Sequence, residues 1–94
     1  MTTIALTLIG KPGCHLCDDA ELAIAQVLEG LAADTDSLAG AVVTMEQVNM
    51  LDSEELTARY SEEIPVLLIN GRVHNYWRID QQRLRNALIE EASK

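Results

Sequence analysis

The chain has 94 residues, of which 48% are hydrophobic, and a formal net charge of -8. This length predicts one domain over 1–94, with a single core that needs no disulfide or metal for its stability. The acidic balance argues against a nucleic-acid partner, because binding phosphates requires a basic surface. No apolar run approaches the roughly 18 residues of a membrane span, and the short apolar stretch near the N-terminus follows no basic residue, so we expect no membrane association, no signal peptide and a cytoplasmic location.

The first half of the chain predicts two strand-helix units. Ile4–Ile9 is an aliphatic run that ends at a turn, as expected for a buried strand. From Cys14 to Leu31, apolar residues recur at spacings of three and four, which predicts a helix with one buried stripe. The segment 30–40 is expected to form a loop, and β-branched residues within 41–50 predict a second strand, parallel to the first.

The next segment predicts a short helix and a third strand. Asp52 or Ser53 can cap a helix that runs through Tyr60, with acidic residues in its first turn. The aliphatic run Ile64–Ile69 then predicts the third strand. This arrangement places a helix between the second and third strands.

The last segment predicts a hairpin and a final helix. Asn70–Gly71 is a strong two-residue turn into a fourth strand over 72–77, antiparallel to the third, and Asp80 can cap a helix that runs to Ala92. The element order β-α-β-α-β-β-α predicts an α/β fold with a mixed four-stranded sheet and flanking helices. Because the chain has no Phe, we expect a mostly aliphatic core, with three aromatic residues at its edges or on the surface: Tyr60, Tyr76 and Trp77.

Two cysteines, Cys14 and Cys17, lie where the first strand leads into the first helix. The N–H groups and dipole of a helix start favour a thiolate, and the first cysteine of such a pair is expected to be the more exposed. Lys11 and His15 favour the Cys14 thiolate and an acidic neighbour, Asp18, disfavours it, so we expect a modestly lowered pKa. Cys14 is therefore the predicted nucleophile, and Cys17 the thiol that resolves the mixed disulfide by forming an internal one.

Three other roles for the pair stay open. A structural zinc site prefers four ligands, of which the pair supplies two, with His15 and His74 as the remaining candidates. A carrier of copper(I) needs only two thiolates at such a loop, and a buried pair without redox chemistry is the third alternative. The predicted helix over 52–60 argues against the carrier fold, which would have a hairpin there. We expect dithiol chemistry, with no metal and no cofactor.

Pro65 opens an otherwise aliphatic strand, where a proline must lie at the strand start or at an edge. Beside a helix-start cysteine pair, a cis Ile64–Pro65 bond would bring this turn next to Cys14. It would also leave the Ile64 backbone free to pair with an extended substrate segment as an added strand. Ile64 and Pro65 are therefore predicted to bind substrate.

Together these motifs resemble those of small bacterial glutaredoxin-like proteins of the thioredoxin superfamily. The matching segments are Lys11–Cys17, which contains the C-H-L-C motif, and Leu56–Tyr60, Ile64–Val66 and Asn70–Gly71. The resemblance implies a thioredoxin-like fold, with Cys14 as nucleophile and Cys17 as resolving thiol. It also implies that Pro65 is the cis-proline of the substrate groove.

The chain departs from this family at the glutathione site. Glutathione-binding glutaredoxins have a glycine pair and then an acidic residue before the last helix, where this chain has Tyr76–Asp80. Lys11 matches the lysine that meets a glutathione carboxylate, and Arg78 is a further candidate for a carboxylate contact. Because Trp77 and Arg78 stand where glycines allow close backbone approach, we expect weak glutathione selectivity.

The sequence thus predicts a cytoplasmic thiol-disulfide oxidoreductase that reduces protein or small-molecule disulfides. Its expected partners are a disulfide-containing protein or a glutathione-like thiol, and a reductase that donates electrons. We expect it to act as a monomer. The alternative is a non-enzymatic binding module, either a soft-metal carrier or a redox-sensing partner of another protein.

Overall fold

The computed structural model describes residues 2–33, 38, 40–60 and 63–93. Within these residues the regular elements follow the predicted order β-α-β-α-β-β-α, with an additional 3-10 turn before the second helix. The bounds are β1 (Thr3–Gly10), α1 (His15–Ala33), β2 (Val42–Asn49), the 3-10 turn (Met50–Asp52), α2 (Glu54–Tyr60), β3 (Val66–Ile69), β4 (Arg72–Tyr76) and α3 (Gln81–Ala92).

The strands form one mixed sheet in the order β2-β1-β3-β4. β1 is parallel to β2, while β3 is antiparallel to both β1 and β4. Asn70 and Gly71, with φ angles of 51° and 81°, both adopt the left-handed conformation that a type I′ hairpin turn requires. The predicted parallel and antiparallel pairings are confirmed.

The main core lies between one face of the sheet and the two long helices, α1 and α3. Its buried members are aliphatic: Ile4, Leu6, Leu8, Ala20, Ile24, Val27, Leu31, Leu67, Ile69, Leu84 and Leu88. Leu31, only 1% exposed, belongs to the last part of α1. The helical stripe predicted through Leu31 is therefore confirmed, and because the helix continues to Ala33, the overlapping loop predicted over 30–40 is wrong for 30–33. Residues 34–37 and 39 lie outside the described residues.

A second, smaller cluster lies where β1 ends and β3 begins. It consists of Ile9, Met50, Tyr60, Ile64 and Val66, and both cysteines pack against it. Tyr60 is only 7% exposed, which is deeper than the edge position predicted for it, because it ends α2 inside this cluster. Tyr76 and Trp77 are exposed, as predicted.

Side-chain caps fix the starts of the two later helices. The Ser53 hydroxyl accepts a hydrogen bond of 3.2 Å from the Leu56 N–H at the start of α2. The Asp80 carboxylate accepts one of 3.1 Å from the Arg83 N–H at the start of α3. Both caps were among the sequence predictions, and Ser53 rather than Asp52 performs the first, since Asp52 lies in the 3-10 turn.

Candidate active site

The cysteine pair occupies the start of α1, directly after the loop that follows β1. Cys14 and Cys17 are joined by a disulfide bond, with their Cα atoms 5.2 Å apart. The Cys17 N–H donates a hydrogen bond of 3.1 Å to the Cys14 sulfur, and the Asp18 N–H donates one of the same length to the Cys14 carbonyl. Cys14 is thus positioned as the N-cap of α1, a place where N–H groups would stabilise a negative charge on its sulfur once the disulfide is reduced.

The two cysteines differ in their surroundings. Both are half-buried, and the greater exposure of Cys14 stays a prediction. A Cβ atom on Gly10 would lie 2.8 Å from the Cys17 sulfur and 3.2 Å from the Cys17 Cβ. Gly10 therefore provides the space in which Cys17 packs against the end of β1.

The strand predicted from sequence stops at Ile9, so the role of Gly10 beside Cys17 was not predicted. A strand-ending glycine shortly before a helix-start cysteine pair was the available signal, because glycine permits close approach to the backbone. The contact itself depends on how α1 lies against β1, which a sequence pattern does not give.

The Ile64–Pro65 peptide bond is cis, as predicted. Ile64 belongs to the cluster against which both cysteines pack, and Pro65 is fully buried beside it. The Pro65 carbonyl accepts a hydrogen bond of 2.8 Å from the Trp77 N–H. Among the described residues, no hydrogen bond engages the backbone N–H or C=O of Ile64.

The two predicted carboxylate-binding cations lie on opposite sides of α1. Lys11 is exposed and lines a cavity of about 340 Å³ that also borders Cys17. Arg78 is exposed and lines a separate hollow of about 200 Å³ beside Leu16 and Trp77. The structure therefore brings Lys11 to the second cysteine and does not bring Lys11 and Arg78 into one pocket.

Trp77 has an unusual backbone conformation for a large residue. Its φ angle is 60°, in the left-handed region that glycine adopts without steric penalty. Its ring is 53% exposed and lies 6.3 Å from that of Tyr76, centroid to centroid. The chain thus keeps glycine-type backbone geometry at this position while presenting a large aromatic side chain beside Leu16.

The residues considered for a zinc site do not come together. His15 is exposed on α1, whereas His74 lies on β4 and lines a hollow together with residues of α3. Across the described ranges, no three His, Cys, Asp or Glu side chains are grouped to hold a metal ion. In the same part of the chain, no helix is long and apolar enough to cross a membrane.

The environment of His74 on β4 affects its protonation. Burial lowers the pKa of its imidazole, the Arg83 guanidinium lowers it further, and the Asp80 carboxylate acts in the opposite direction. Its Nε2 atom is buried and has no hydrogen-bond partner among the described residues. The imidazole is therefore held in its neutral form more strongly than in the unfolded chain.

Residues 5–89 match the model of a glutaredoxin-like domain family (DUF836). Uncharacterized proteins of Mycobacterium tuberculosis and Mycobacterium bovis are 26% identical to this chain over 85 residues, which cover 90% of it and 82% of each relative. The match includes nearly all the elements described above.

Two solved structures are similar to the chain. A structural-genomics target protein from X. campestris aligns with a TM-score of 0.63 and 34% identity, over 88% of this chain and 93% of that one. A mutant thioredoxin from Halobacterium salinarum NRC-1 aligns with a TM-score of 0.54 and 21% identity, over 97% and 76% of the two chains. At that identity the second likeness shows the fold alone, and the predicted thioredoxin-like fold is confirmed.

Proposed function

The chain belongs to the glutaredoxin-like domain family, and on that premise we propose that it is a thiol-disulfide oxidoreductase acting through Cys14 and Cys17. The observation that carries this proposal is the hydrogen bond of 3.1 Å from the Cys17 N–H to the Cys14 sulfur at a helix start. A donor in this position stabilises the Cys14 thiolate, and the thiolate is the nucleophilic form.

In the first step the Cys14 thiolate attacks one sulfur of a substrate disulfide. A bond forms between that sulfur and Cys14, the substrate S–S bond breaks, and the other substrate sulfur leaves as a thiolate that takes up a proton. Cys14 is half-buried at the start of α1 rather than enclosed in the core, as a nucleophile that meets a substrate requires.

In the second step the Cys17 thiolate attacks the Cys14 sulfur of the mixed disulfide. The internal Cys14–Cys17 bond forms and the remaining substrate sulfur leaves as a thiol, so two electrons pass to the substrate in all. The Cα separation of 5.2 Å lies within the range that a disulfide requires. A reductase or thiol then restores the dithiol.

The cis Ile64–Pro65 turn supports an extended peptide as the substrate. With the Ile64 backbone N–H and C=O unpaired among the described residues, a substrate segment can add to it as a strand. Arg78 and Trp77 flank the hollow beside Leu16, where the side chains of such a segment would lie. We propose a protein disulfide, rather than glutathione itself, as the preferred substrate.

Turnover with a model substrate tests this function. The reduced protein is incubated with insulin and NADPH, with either thioredoxin reductase or glutathione plus glutathione reductase, and NADPH consumption is followed. We expect sustained turnover with one of the two systems. Cys17→Ser should accumulate a mixed disulfide with insulin, because attack still occurs and resolution does not.

Cys14→Ser is the matched control, since it keeps one thiol of the same pair but removes the predicted nucleophile. It should form a mixed disulfide with insulin much more slowly than Cys17→Ser does. Absence of turnover with both systems, together with no trapped species from Cys17→Ser, would rule out the oxidoreductase function.

A further inference from the structure

The hollow of about 200 Å³ beside the start of α1 is lined mainly by apolar residues. Leu16, Ala20 and Ala23 line it from one face of α1, and the short alanine side chains leave space there. Trp77 and Ile79 complete the apolar lining from the segment between β4 and α3. Because small-molecule pockets usually measure about 300 to 1,000 Å³, this hollow suits a single side chain rather than a whole small molecule.

The hollow lies beside the line that an extended substrate would follow. Leu16 lies between the two cysteines in sequence, so the hollow begins within the first turn of α1. On its other side, the Trp77 N–H donates a hydrogen bond of 2.8 Å to the carbonyl of Pro65. A segment that pairs with the Ile64 backbone and reaches Cys14 would therefore pass next to the hollow.

Two large apolar residues of the hollow remain exposed. Trp77 is 53% exposed and Leu16 is 37% exposed, so apolar surface at the hollow is available to an occupant. The left-handed backbone of Trp77, with a φ angle of 60°, is also uncommon for a bulky residue. Such conformations occur preferentially at functional and ligand-binding sites. Exposure and backbone conformation together indicate an interaction surface.

Two charged residues border the same hollow. Arg78 is exposed and takes part in no ion pair among the residues that the structure describes, although the chain has 15 Asp and Glu residues. Asp19 borders the hollow from α1 and, in the same described ranges, forms no ion pair either. A guanidinium binds a carboxylate through two parallel hydrogen bonds, so an acidic side chain is the complement of Arg78. Asp19 repels that carboxylate and thereby favours its placement on the Arg78 side.

The net charge of the chain does not prevent such a contact. At -8 the chain repels acidic partners at a distance. At about 0.15 M salt, however, repulsion between exposed charges is largely screened beyond roughly 8 Å. A carboxylate in contact with the Arg78 guanidinium lies well inside this distance.

We propose that the hollow selects protein disulfides whose cysteine is flanked by a large apolar residue and an acidic residue. The apolar side chain enters the hollow between Leu16 and Trp77, and the carboxylate binds Arg78. The inference rests on the proposed function, in which Cys14 attacks a disulfide of an extended protein segment. It identifies Trp77 and Arg78 as residues that determine which disulfides are reduced.

Disulfide-linked peptide dimers test the charge preference. Each peptide has a central cysteine, a leucine on both sides, and glutamate, glutamine or lysine at both ends, so the result does not depend on chain direction. The reduced protein gives two electrons to the peptide disulfide and ends as the internal disulfide, and the two peptide thiols are released. At about 0.15 M salt, the glutamate peptide should be reduced about tenfold faster than the lysine peptide, with the glutamine peptide between them.

Charge reversal at Arg78 tests whether this residue causes the preference. Arg78→Glu should reverse the order of the three peptides, because the lysine ends then meet a carboxylate. Arg59→Glu is the matched control: Arg59 is exposed on α2, does not border the hollow, and undergoes the same change of charge. It should keep the wild-type order. Equal rates for the three peptides in the wild type, or an unchanged order in Arg78→Glu, would overturn the proposal.

Replacement of the flanking leucines by serines tests the apolar contact. In the wild type the serine form of the glutamate peptide should be reduced about fivefold more slowly, because less apolar surface is buried. Trp77→Gly removes the ring, and glycine adopts the φ angle of 60° without steric penalty, so the preference for leucine should largely disappear. Leu22→Ala, which removes an exposed apolar side chain of α1 outside the hollow, should retain it. A leucine preference that persists in Trp77→Gly would contradict the proposed contact.

Insulin and a small neutral disulfide, 2-hydroxyethyl disulfide, separate this inference from the proposed function. A protein that reduces neither of them nor any peptide would lack the proposed function, and the inference would fall with it. Reduction of insulin together with equal rates for all the peptides would remove the inference alone. We expect reduction of insulin and, among the peptides, fastest reduction of the one with leucine and glutamate.

Discussion

The two clusters of buried side chains differ in what borders them. The main core, between the sheet and the two long helices, is built from aliphatic residues, and no polar or charged side chain is buried among the described residues. The smaller cluster contains Tyr60 and Ile64, and the two cysteines form part of its edge. No cysteine packs against the main core, while the smaller cluster borders the Cys14–Cys17 disulfide.

This difference separates the residues that hold the fold from those proposed to perform the chemistry. α1 joins the two regions: Cys17 packs against the smaller cluster, and Ala20, one turn later, is buried in the main core. We therefore expect exchange at the pair to leave the packing between α1, α3 and the sheet unchanged. The following changes test how complete this separation is.

The largest effect on stability is expected in the main core. Leu84 of α3 is fully buried, so Leu84→Ala should lower the free energy of unfolding by about 2 to 5 kcal/mol through lost burial and a residual cavity. Leu22→Ala is the control, because Leu22 is 60% exposed on α1, and its cost should stay within about 0.5 kcal/mol. Urea denaturation measures both. The separation would fail if the folded Leu84→Ala protein lost its alkylation reactivity at Cys14.

Two glycine substitutions compare the border of the pair with the helix beyond it. Gly10→Ala places a methyl group 2.8 Å from the Cys17 sulfur and should destabilise the oxidised protein by about 1 to 3 kcal/mol, because Cys17 must shift. Gly30→Ala adds its methyl group in open space within α1 and should stabilise by about 0.5 to 1 kcal/mol. Urea denaturation of both oxidised variants measures the two changes in the free energy of unfolding. Similar changes for the two substitutions would contradict the close contact between Gly10 and Cys17.

Trp77 tests whether its backbone conformation opposes folding. Trp77→Gly and Trp77→Ala both remove the ring, but only glycine adopts a φ angle of 60° without steric penalty. We expect the glycine variant to be the more stable by about 1 kcal/mol. Thermal unfolding of the two variants measures the difference in their stability. An alanine variant as stable as the glycine variant, or more stable, would exclude backbone strain at position 77.

The smallest effect concerns pH. Because burial and Arg83 lower the pKa of His74 in the folded protein, the unfolded chain binds a proton more readily between its ordinary value of about 6.5 and the lowered folded value. Folding stability should therefore fall as pH decreases through this interval. The free energy of unfolding of His74→Gln, measured at matched pH values, should fall less steeply with decreasing pH than that of the wild type. An identical slope would show that other groups cause the pH dependence.

Much of the fold follows from local sequence signals that the structure retains. The apolar spacing of α1, the Asn70–Gly71 turn and the caps Ser53 and Asp80 each specify their element with short-range interactions. The apolar spacing already placed Leu31 on α1, but Ala32 and Ala33 were assigned to the loop, because the point at which the last turn stops depends on tertiary packing. Local rules such as the helix-breaking tendency of glycine do not contain that information.

The disulfide and the cis peptide bond of the candidate site were predictable, and the arrangement around them was less so. Cys14, Cys17 and the cis Ile64–Pro65 bond follow from motif and position. The close approach of Gly10 to Cys17 and the cavity beside it arise where β1, β2 and α1 meet. Such three-element junctions are set by packing between segments distant in sequence, so no single motif encodes them.

An equilibrium redox titration of the intact protein tests the central claim most directly. The protein is equilibrated in thiol-disulfide buffers of defined potential, quenched in acid, and its mass is measured. We predict a reversible two-electron transition, seen as a mass change of two hydrogens, between about -320 and -120 mV. Two thiols that stay free at every potential in this range would contradict the account, as would oxidation that yields only intermolecular disulfides.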